Sequence, residues 1–394
     1  MMSIAEKIRA SIEKSSFIRK MFEEGTRLKA QFGAENVFDF SLGNPNIVPP
    51  AEFKAALAEV VNESGEGTHS YMPNVGYPFV RKAVADYVAK EQGVPVTDNE
   101  IIMTCGAAGA LNVAFKTLLD PGDEVLSPVP YFVEYNFYVE NHGGVLKTVK
   151  TNPDFTLDLA AMEQAITNKT KAVLINSPNN PTGQIYSKES LDALGALLTK
   201  KGNAFNRTIY LISDEPYRKI VYDGQSVPSI FSSYNETIIA TSYSKDISVP
   251  GERIGFIAVH PSATFKKDLL GGMALANRIL GFVNAPALMQ RVMGKIQGVT
   301  VDISQYRKNR ALFCDGLADA GYDFIVPPGA FYLFPKSPIA DDVAFVRELQ
   351  EERILVVPGS GFGGPGHFRI AYCCDERSIV KALPGFKKVM AKYR

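Results

Sequence analysis

The chain has 394 residues, with Lys and Arg totalling 42 and Asp and Glu also 42, so its formal charge is zero. That length suggests two or three domains and a sizeable core. The charge balance disfavours nonspecific binding to nucleic acid or acidic membranes.

The predicted elements follow from hydrophobic spacing, taken in chain order. Residues 4–32 mix charged and apolar side chains at helical spacing. Between Ile101 and Val259, short apolar strands alternate with helical stretches. The strands fall near 101–104, 124–127, 145–149, 172–176, 209–213, 238–241 and 254–259. This rhythm predicts an α/β fold with a mostly parallel seven-stranded sheet and helices on both faces. A long helical stretch is expected from about 265 to 297 and another over 301–320. Strands are expected within 324–334 and 353–371. The glycine-rich run Gly359–Gly366 precedes no predicted helix, so it is not read as a phosphate loop.

Four strand ends carry residues suited to chemistry. Ile101–Thr104 breaks at Gly106, and Ala107 and Ala108 then open an apolar helix. Small residues there let a phosphate approach backbone N–H groups at a helix N-terminus. The strand 172–176 leads to Asn180-Pro181-Thr182-Gly183, which puts an amide at the same sheet edge. The strand 209–213 runs into Asp214, with Tyr217 three positions on. A carboxylate there points into the crevice where α/β sheets bind ligands. The strand 238–241 ends in Ser242-Tyr243-Ser244-Lys245, with Arg253 one short loop away. An amine beside hydroxyls and a guanidinium suits a carbonyl cofactor that carries a phosphate.

Cys105, Cys314, Cys373 and Cys374 lack metal-ligand spacing, and adjacent Cys373-Cys374 is a poor disulfide pair. His69, His142, His260 and His367 are scattered and are read as structural or surface groups, so no metal is expected. With no apolar signal region at the start and no run of about 18 apolar residues, a reduced, cytoplasmic protein is expected.

These motifs, in this order, resemble the pyridoxal-phosphate-dependent aminotransferases of fold type I, class I/II, the group that includes aspartate aminotransferase. The resemblance extends to Leu42-Gly43-Asn44-Pro45-Asn46, to Tyr71 and Gly76, and to Pro130-Tyr131-Phe132-Val133-Glu134-Tyr135. It continues through Gly329-Ala330-Phe331-Tyr332-Leu333-Phe334 and Phe368-Arg369-Ile370. It departs at Glu252, where an apolar or aromatic residue is usual, and at Asn44 and Asn46, which replace acidic residues.

The resemblance implies a large cofactor domain over 48–285 and a smaller α+β domain from 1–47 plus 286–394. It implies amino transfer between an L-amino acid and a 2-oxo acid through a pyridoxal 5'-phosphate aldimine on Lys245. Asp214 would keep the pyridine nitrogen protonated, and Tyr217 and Asn180 would bond the ring oxygen. Phe132 would stack on the ring. Gly106, Ala107, Ala108, Ser242 and Arg253 would hold the phosphate. Tyr71 would add a hydroxyl to it from the second subunit of a homodimer. Arg369 would grip the substrate carboxylate, with Asn180 and Gly43 beside it. A lyase catalysing carbon–sulfur β-elimination, or a synthase, on the same fold is the alternative.

Two family positions that supply a cation for a distal carboxylate are here Ala108 and Ile279. Arg278 is the nearest candidate anchor, pointing about 100° away. The expected substrates are therefore the glutamate/2-oxoglutarate pair with an apolar, aromatic or small amino acid.

Overall fold

The computed structural model describes residues 4–394 except Ser15, Ser64 and Glu66, with side chains for all of these but 10, 11, 13, 14 and 16–23. Seven strands form the central sheet: β1 (Ile101–Thr104), β2 (Glu124–Val129), β3 (Val145–Lys150), β4 (Thr170–Asn176), β5 (Tyr210–Asp214), β6 (Thr237–Ser242) and β7 (Gly255–Val259). Their order is β1-β7-β6-β5-β4-β2-β3. Neighbours run parallel except β7, which is antiparallel to both β1 and β6. The expected α/β fold and its mostly parallel sheet are what the chain adopts.

Strand periodicity divides the sheet's side chains between two cores. Ile101, Met103, Val173, Ile175, Leu211 and Ile239 pack on one face. Ile102, Ala172, Leu174, Ile212, Ile238 and Ile257 pack on the other. Both faces are covered, which is why these strands read as continuous apolar runs.

A third core joins the two ends of the chain. Phe40 packs there with Phe313, Phe331, Phe345, Phe368, Ile370 and Phe386. Phe38–Asp39 pairs in parallel with Ile354–Leu355. Phe368–Ala371 pairs antiparallel with Tyr332–Leu333 on one side and Val357–Pro358 on the other.

Two expected elements differ in the structure. The stretch 265–297 is two helices, Lys266–Ile279 and Ala287–Lys295. Gly281, at φ +89°, follows the first helix, and Pro286 precedes the second. A left-handed glycine after the last turn is an ordinary helix stop. The segment 324–334 contributes only Tyr332–Leu333 as strand. Pro327, Pro328 and Gly329 lie before it, and prolines supply no N–H to a ladder.

Helix Ala287–Lys295 places Met289, Val292 and Met293 in the core with Val80, Val84 and Ile101. The strand register brings the functional ends together. Asn176 lies opposite Asp214 across β4 and β5, and Ser242 lies opposite Gly255 across β6 and β7.

Phe313 is fully buried, with its ring 5.0 Å from that of Phe40 and edge-on to it. Phe313→Ala is expected to lower stability by ~3–5 kcal/mol, read as a fall in the urea midpoint. A loss below about 1 kcal/mol would show that this core collapses around the gap.

Candidate active site

Lys245 leaves β6 after Ser242 and enters a cavity of about 360 Å³ at the carboxyl ends of β4, β5 and β6. The cavity is lined by residues from both ends of the chain as well as from the sheet. Gly43, Ala107, Ala108, Phe132, Asn180 and Asp214 line it, as do Tyr217, Ser242, Lys245, Arg253, Tyr332 and Arg369.

The Lys245 amine donates to the Gly43 carbonyl at 2.8 Å and lies 5.7 Å from the centre of the Phe331 ring. Burial pulls its pKa down to about 8, and the nearby Arg369 and Arg253 guanidinium groups act in the same direction. A substantial fraction of this amine is therefore neutral near pH 8, the form that can act as nucleophile or base.

Asp214 shows the converse effect. Burial pushes its carboxyl up to about 7, and neighbouring Glu215 adds to the rise. One carboxylate oxygen, Oδ2, accepts a 2.6 Å hydrogen bond from the Tyr135 hydroxyl. The other, Oδ1, is buried without a hydrogen-bond partner in the chain. A buried carboxylate oxygen with no donor is costly. It fits a ligand that brings an N–H into the cavity, such as a protonated pyridine nitrogen.

Arg369 stands on the buried strand Phe368–Ala371. Its Nη1 donates to Asn180 Oδ1 at 2.9 Å and its Nη2 to the Ser41 carbonyl at 2.6 Å. Its Nε is buried and has no partner. Burial lowers its pKa, with Tyr332 and Tyr217 opposing the shift. Fixed guanidinium donors in a cavity suit a carboxylate.

The phosphate-type end is built from backbone. Gly106 opens helix Gly106–Leu118 at φ +72°, and a Cβ added there would sit 3.0 Å from Arg253 Nη2. Gly106 itself therefore lies against Arg253, while Ala107 and Ala108 line the cavity. Arg253 is held in the left-handed region at φ 53° and donates to the Pro250 carbonyl at 2.9 Å. Ser242 donates to the Ser244 hydroxyl at 3.0 Å. The residue set fits pyridoxal phosphate: an amine, an orphaned carboxylate oxygen opposite β4, and a helix start flanked by arginine and serine.

Three residues lie elsewhere. Tyr71 is 88% exposed and lines a separate cavity with His69, Met72, Asn284 and Ala287. Arg278 is exposed on helix Lys266–Ile279 and does not line the Lys245 cavity. Glu252 is exposed in the 3-10 turn Pro250–Glu252.

Sequence reasoning missed Tyr135, Asn176, Ser41 and Tyr332. Asn176 ends β4 and donates to the Asp214 carbonyl at 2.8 Å. Tyr135 follows Phe132 by three positions, and the turn between them sets the two rings edge-on at 5.6 Å, a spacing that could have drawn attention. Tyr332 lay inside a recognised motif, yet no spacing links it to Tyr217 or Arg369.

Comparison with known proteins agrees with this geometry. The profile of the family described as "Aminotransferase class I and II" matches residues 35–384. The aspartate/prephenate aminotransferase of Thermus thermophilus is 34% identical over 362 residues, covering 89% of this chain and 90% of that one. An aminotransferase from Eubacterium rectale superposes with a TM-score of 0.97 at 40% identity, over the whole of both chains. The structure of T. thermophilus aspartate aminotransferase with maleate matches with a TM-score of 0.87 at 30% identity, over 99% of this chain and 100% of that one. With a lysine amine, an orphaned aspartate oxygen and a donor-rich arginine around one cavity, the chain belongs to the class I and II aminotransferases, enzymes that move amino groups between molecules.

Proposed function

We propose that the chain uses pyridoxal phosphate, bound at Lys245, to move an amino group between an L-amino acid and a 2-oxo acid. The observation that carries this is the unpartnered Asp214 Oδ1 in the cavity that also holds the Lys245 amine. Pyridoxal phosphate supplies a ring that accepts the electron pair of the substrate α-carbon.

Asp214 Oδ1 would accept the ring N–H, while the Tyr135 hydroxyl holds Oδ2 and so fixes the carboxylate plane. Tyr217 and Asn180 would hydrogen-bond the ring oxygen, and Phe132 would cover the ring. The amides at Gly106, Ala107 and Ala108, with Ser242 and Arg253, would bind the phosphate. Arg369 would bind the substrate carboxylate through Nε and the free hydrogens of its terminal nitrogens, beside Gly43. Lys245 Nζ, partly neutral at working pH, would take the α-proton and return one nearby.

The division we propose follows the two kinds of core. The sheet with its covering helices forms the cofactor unit, and Ala287–Lys295, expected in the smaller domain, goes with it because it packs in that core. The core around Phe40, Phe331 and Phe386 forms the smaller unit. We further propose a homodimer in which Tyr71 of the partner subunit reaches the phosphate, and its exposure leaves the phenol free to do so. Among the described residues no helix is long and apolar enough to cross a membrane, and the four cysteines are free, in line with a cytoplasmic location.

Among the described residues, the cations lining the cavity are Lys245, Arg253 and Arg369. All three have other roles, which leaves none of these lining cations for a distal carboxylate. We therefore propose an amino-acid partner that ranges beyond aspartate to small, apolar and aromatic side chains; glutamate and 2-oxoglutarate, proposed as the other pair, would need a further donor for their distal carboxylate, Arg278 or a polar loop group.

The purified protein is expected to take up pyridoxal phosphate and become yellow, and Lys245→Ala to lose both the bound absorption band and turnover. A colourless wild type that takes up no cofactor refutes the reading. With 2-oxoglutarate as acceptor, kcat/KM for aspartate should exceed that for alanine and phenylalanine by less than about 100-fold. A larger ratio means that a cation from elsewhere, Arg278 first, binds the second carboxylate; at about 1.4 kcal/mol per tenfold, that is the scale of one buried charge pair.

The raised Asp214 carboxyl also has a pH signature in the cofactor-free protein. Its folded pKa of about 7 lies above the ordinary 3.8, so the folded state holds the proton over that window. Stability then falls as pH rises from about 4 to about 7. Asp214→Asn removes this loss, so the variant should gain on wild type across that window, by up to a few kcal/mol, and level off above it. Asp246, also raised to about 7 by burial, is present in both proteins and cancels. Urea midpoints over a pH series measure it, and a pH-independent difference would contradict the assignment.

A further inference from the structure

Tyr332 lines the Lys245 cavity and meets Tyr217, Arg369 and Gly43 there. It is 2% exposed. Its hydroxyl lies 2.9 Å from the Tyr217 hydroxyl. Its ring centre lies 4.7 Å from the Arg369 guanidinium carbon, and the Phe362 ring lies 4.6 Å from the same carbon. A Cβ added to Gly43 would collide with its hydroxyl, so the loop carrying the Lys245-bound carbonyl is shaped around this phenol.

We propose that Tyr332 is a positioning residue for the transfer reaction, acting on Tyr217 through its hydroxyl and on Arg369 through its ring. The inference rests on the pyridoxal phosphate reading of the site. Two phenols that share one hydrogen bond can point it either way. When Tyr332 donates, the Tyr217 proton is released to the cavity. A hydroxyl that accepts one bond donates more strongly in the next, so Tyr332 sharpens Tyr217 as a donor to an anionic ring oxygen. When Tyr217 donates instead, its proton is used up. An anionic oxygen in the cavity therefore selects the first arrangement.

The ring acts separately. Asn180 and Ser41 each take one donor of Arg369, and Nε remains unpartnered. Aromatic rings over the guanidinium restrict its tilt, so its remaining in-plane donors keep a fixed direction for an incoming carboxylate.

Tyr332→Phe keeps the ring and removes the hydroxyl. Tyr332→Leu removes both. Tyr217 favours the form of the bound cofactor in which the ring oxygen carries full negative charge. A weaker donor delays that form to higher pH. In Tyr332→Phe, the pH midpoint of the bound absorption band should rise by about half a pH unit, with KM for the amino acid within about twofold of wild type. In Tyr332→Leu, KM should rise about tenfold or more.

In a Tyr217→Phe background, adding Tyr332→Phe should leave the midpoint where Tyr217→Phe alone puts it, because the hydroxyl acts only through Tyr217. An unmoved midpoint in Tyr332→Phe overturns the proposal. So do equal KM values in the Phe and Leu variants, or a further midpoint rise in the double variant. A wild type that binds no pyridoxal phosphate overturns both this proposal and the functional reading beneath it. Normal binding with an unmoved midpoint overturns this proposal alone.

Discussion

Burial of charge at one sheet edge is the constraint on which the rest of the structure depends. Lys245, Asp214 and Arg369 meet in one cavity with most of their surface removed from water. Each is shifted toward its neutral form, and for each burial is the largest cause. An isolated buried charge costs several kcal/mol, so the surrounding fold must supply partners or accept the shift. It does some of each. Asn180 and Ser41 each accept one hydrogen bond from Arg369, the Tyr135 hydroxyl donates to one Asp214 oxygen, and the Gly43 carbonyl accepts from Lys245. The donor and acceptor capacity that remains is directed into the cavity, where a ligand can complete it.

That arrangement needs pieces from distant parts of the chain. Asn180 and Asp214 come from adjacent parallel strands, whose carboxyl ends share one edge because right-handed crossovers return the chain to the same side. Gly43 and Ser41 come from the segment just after Phe38–Asp39, and Arg369 from Phe368–Ala371. The core around Phe40, Phe313 and Phe386 binds these two ends together. That core, which also contains Tyr217 and Tyr332, holds the arginine strand and the Gly43 segment beside the sheet edge that carries the lysine. The same packing gives Tyr332 its place between Tyr217 and Arg369, at a contact that no short motif could encode.

The sequence alone determined the sheet and the identity of the reactive groups. Strands covered on both faces are long apolar runs, so β1, β4, β5 and β6 were legible to within a residue or two. The positions following them, Gly106, Asn180, Asp214 and Lys245, were legible because a parallel sheet exposes its carboxyl edge to ligands. Arg369 was found through its resemblance to known motifs, since its strand is short and apolar like many others. The break at Gly281 was masked by helical spacing on both sides of it. The near absence of strand before Tyr332 followed from Pro327 and Pro328, whose effect on a ladder was overlooked.

Tertiary structure decided what these groups do to one another. Tyr135 donating to Asp214, the orphaned Oδ1, the Gly43 carbonyl on Lys245 and the ring of Tyr332 against Arg369 all join residues far apart in sequence, except within the Phe132–Tyr135 turn. Their distances depend on how side chains fill a shared volume, and their pKa values on how much water that filling excludes. Neither quantity is a property of any one segment. A sequence names the residues of a site because local spacing sets which strand end carries them; it does not set their charge state, because desolvation is produced by the whole fold at once.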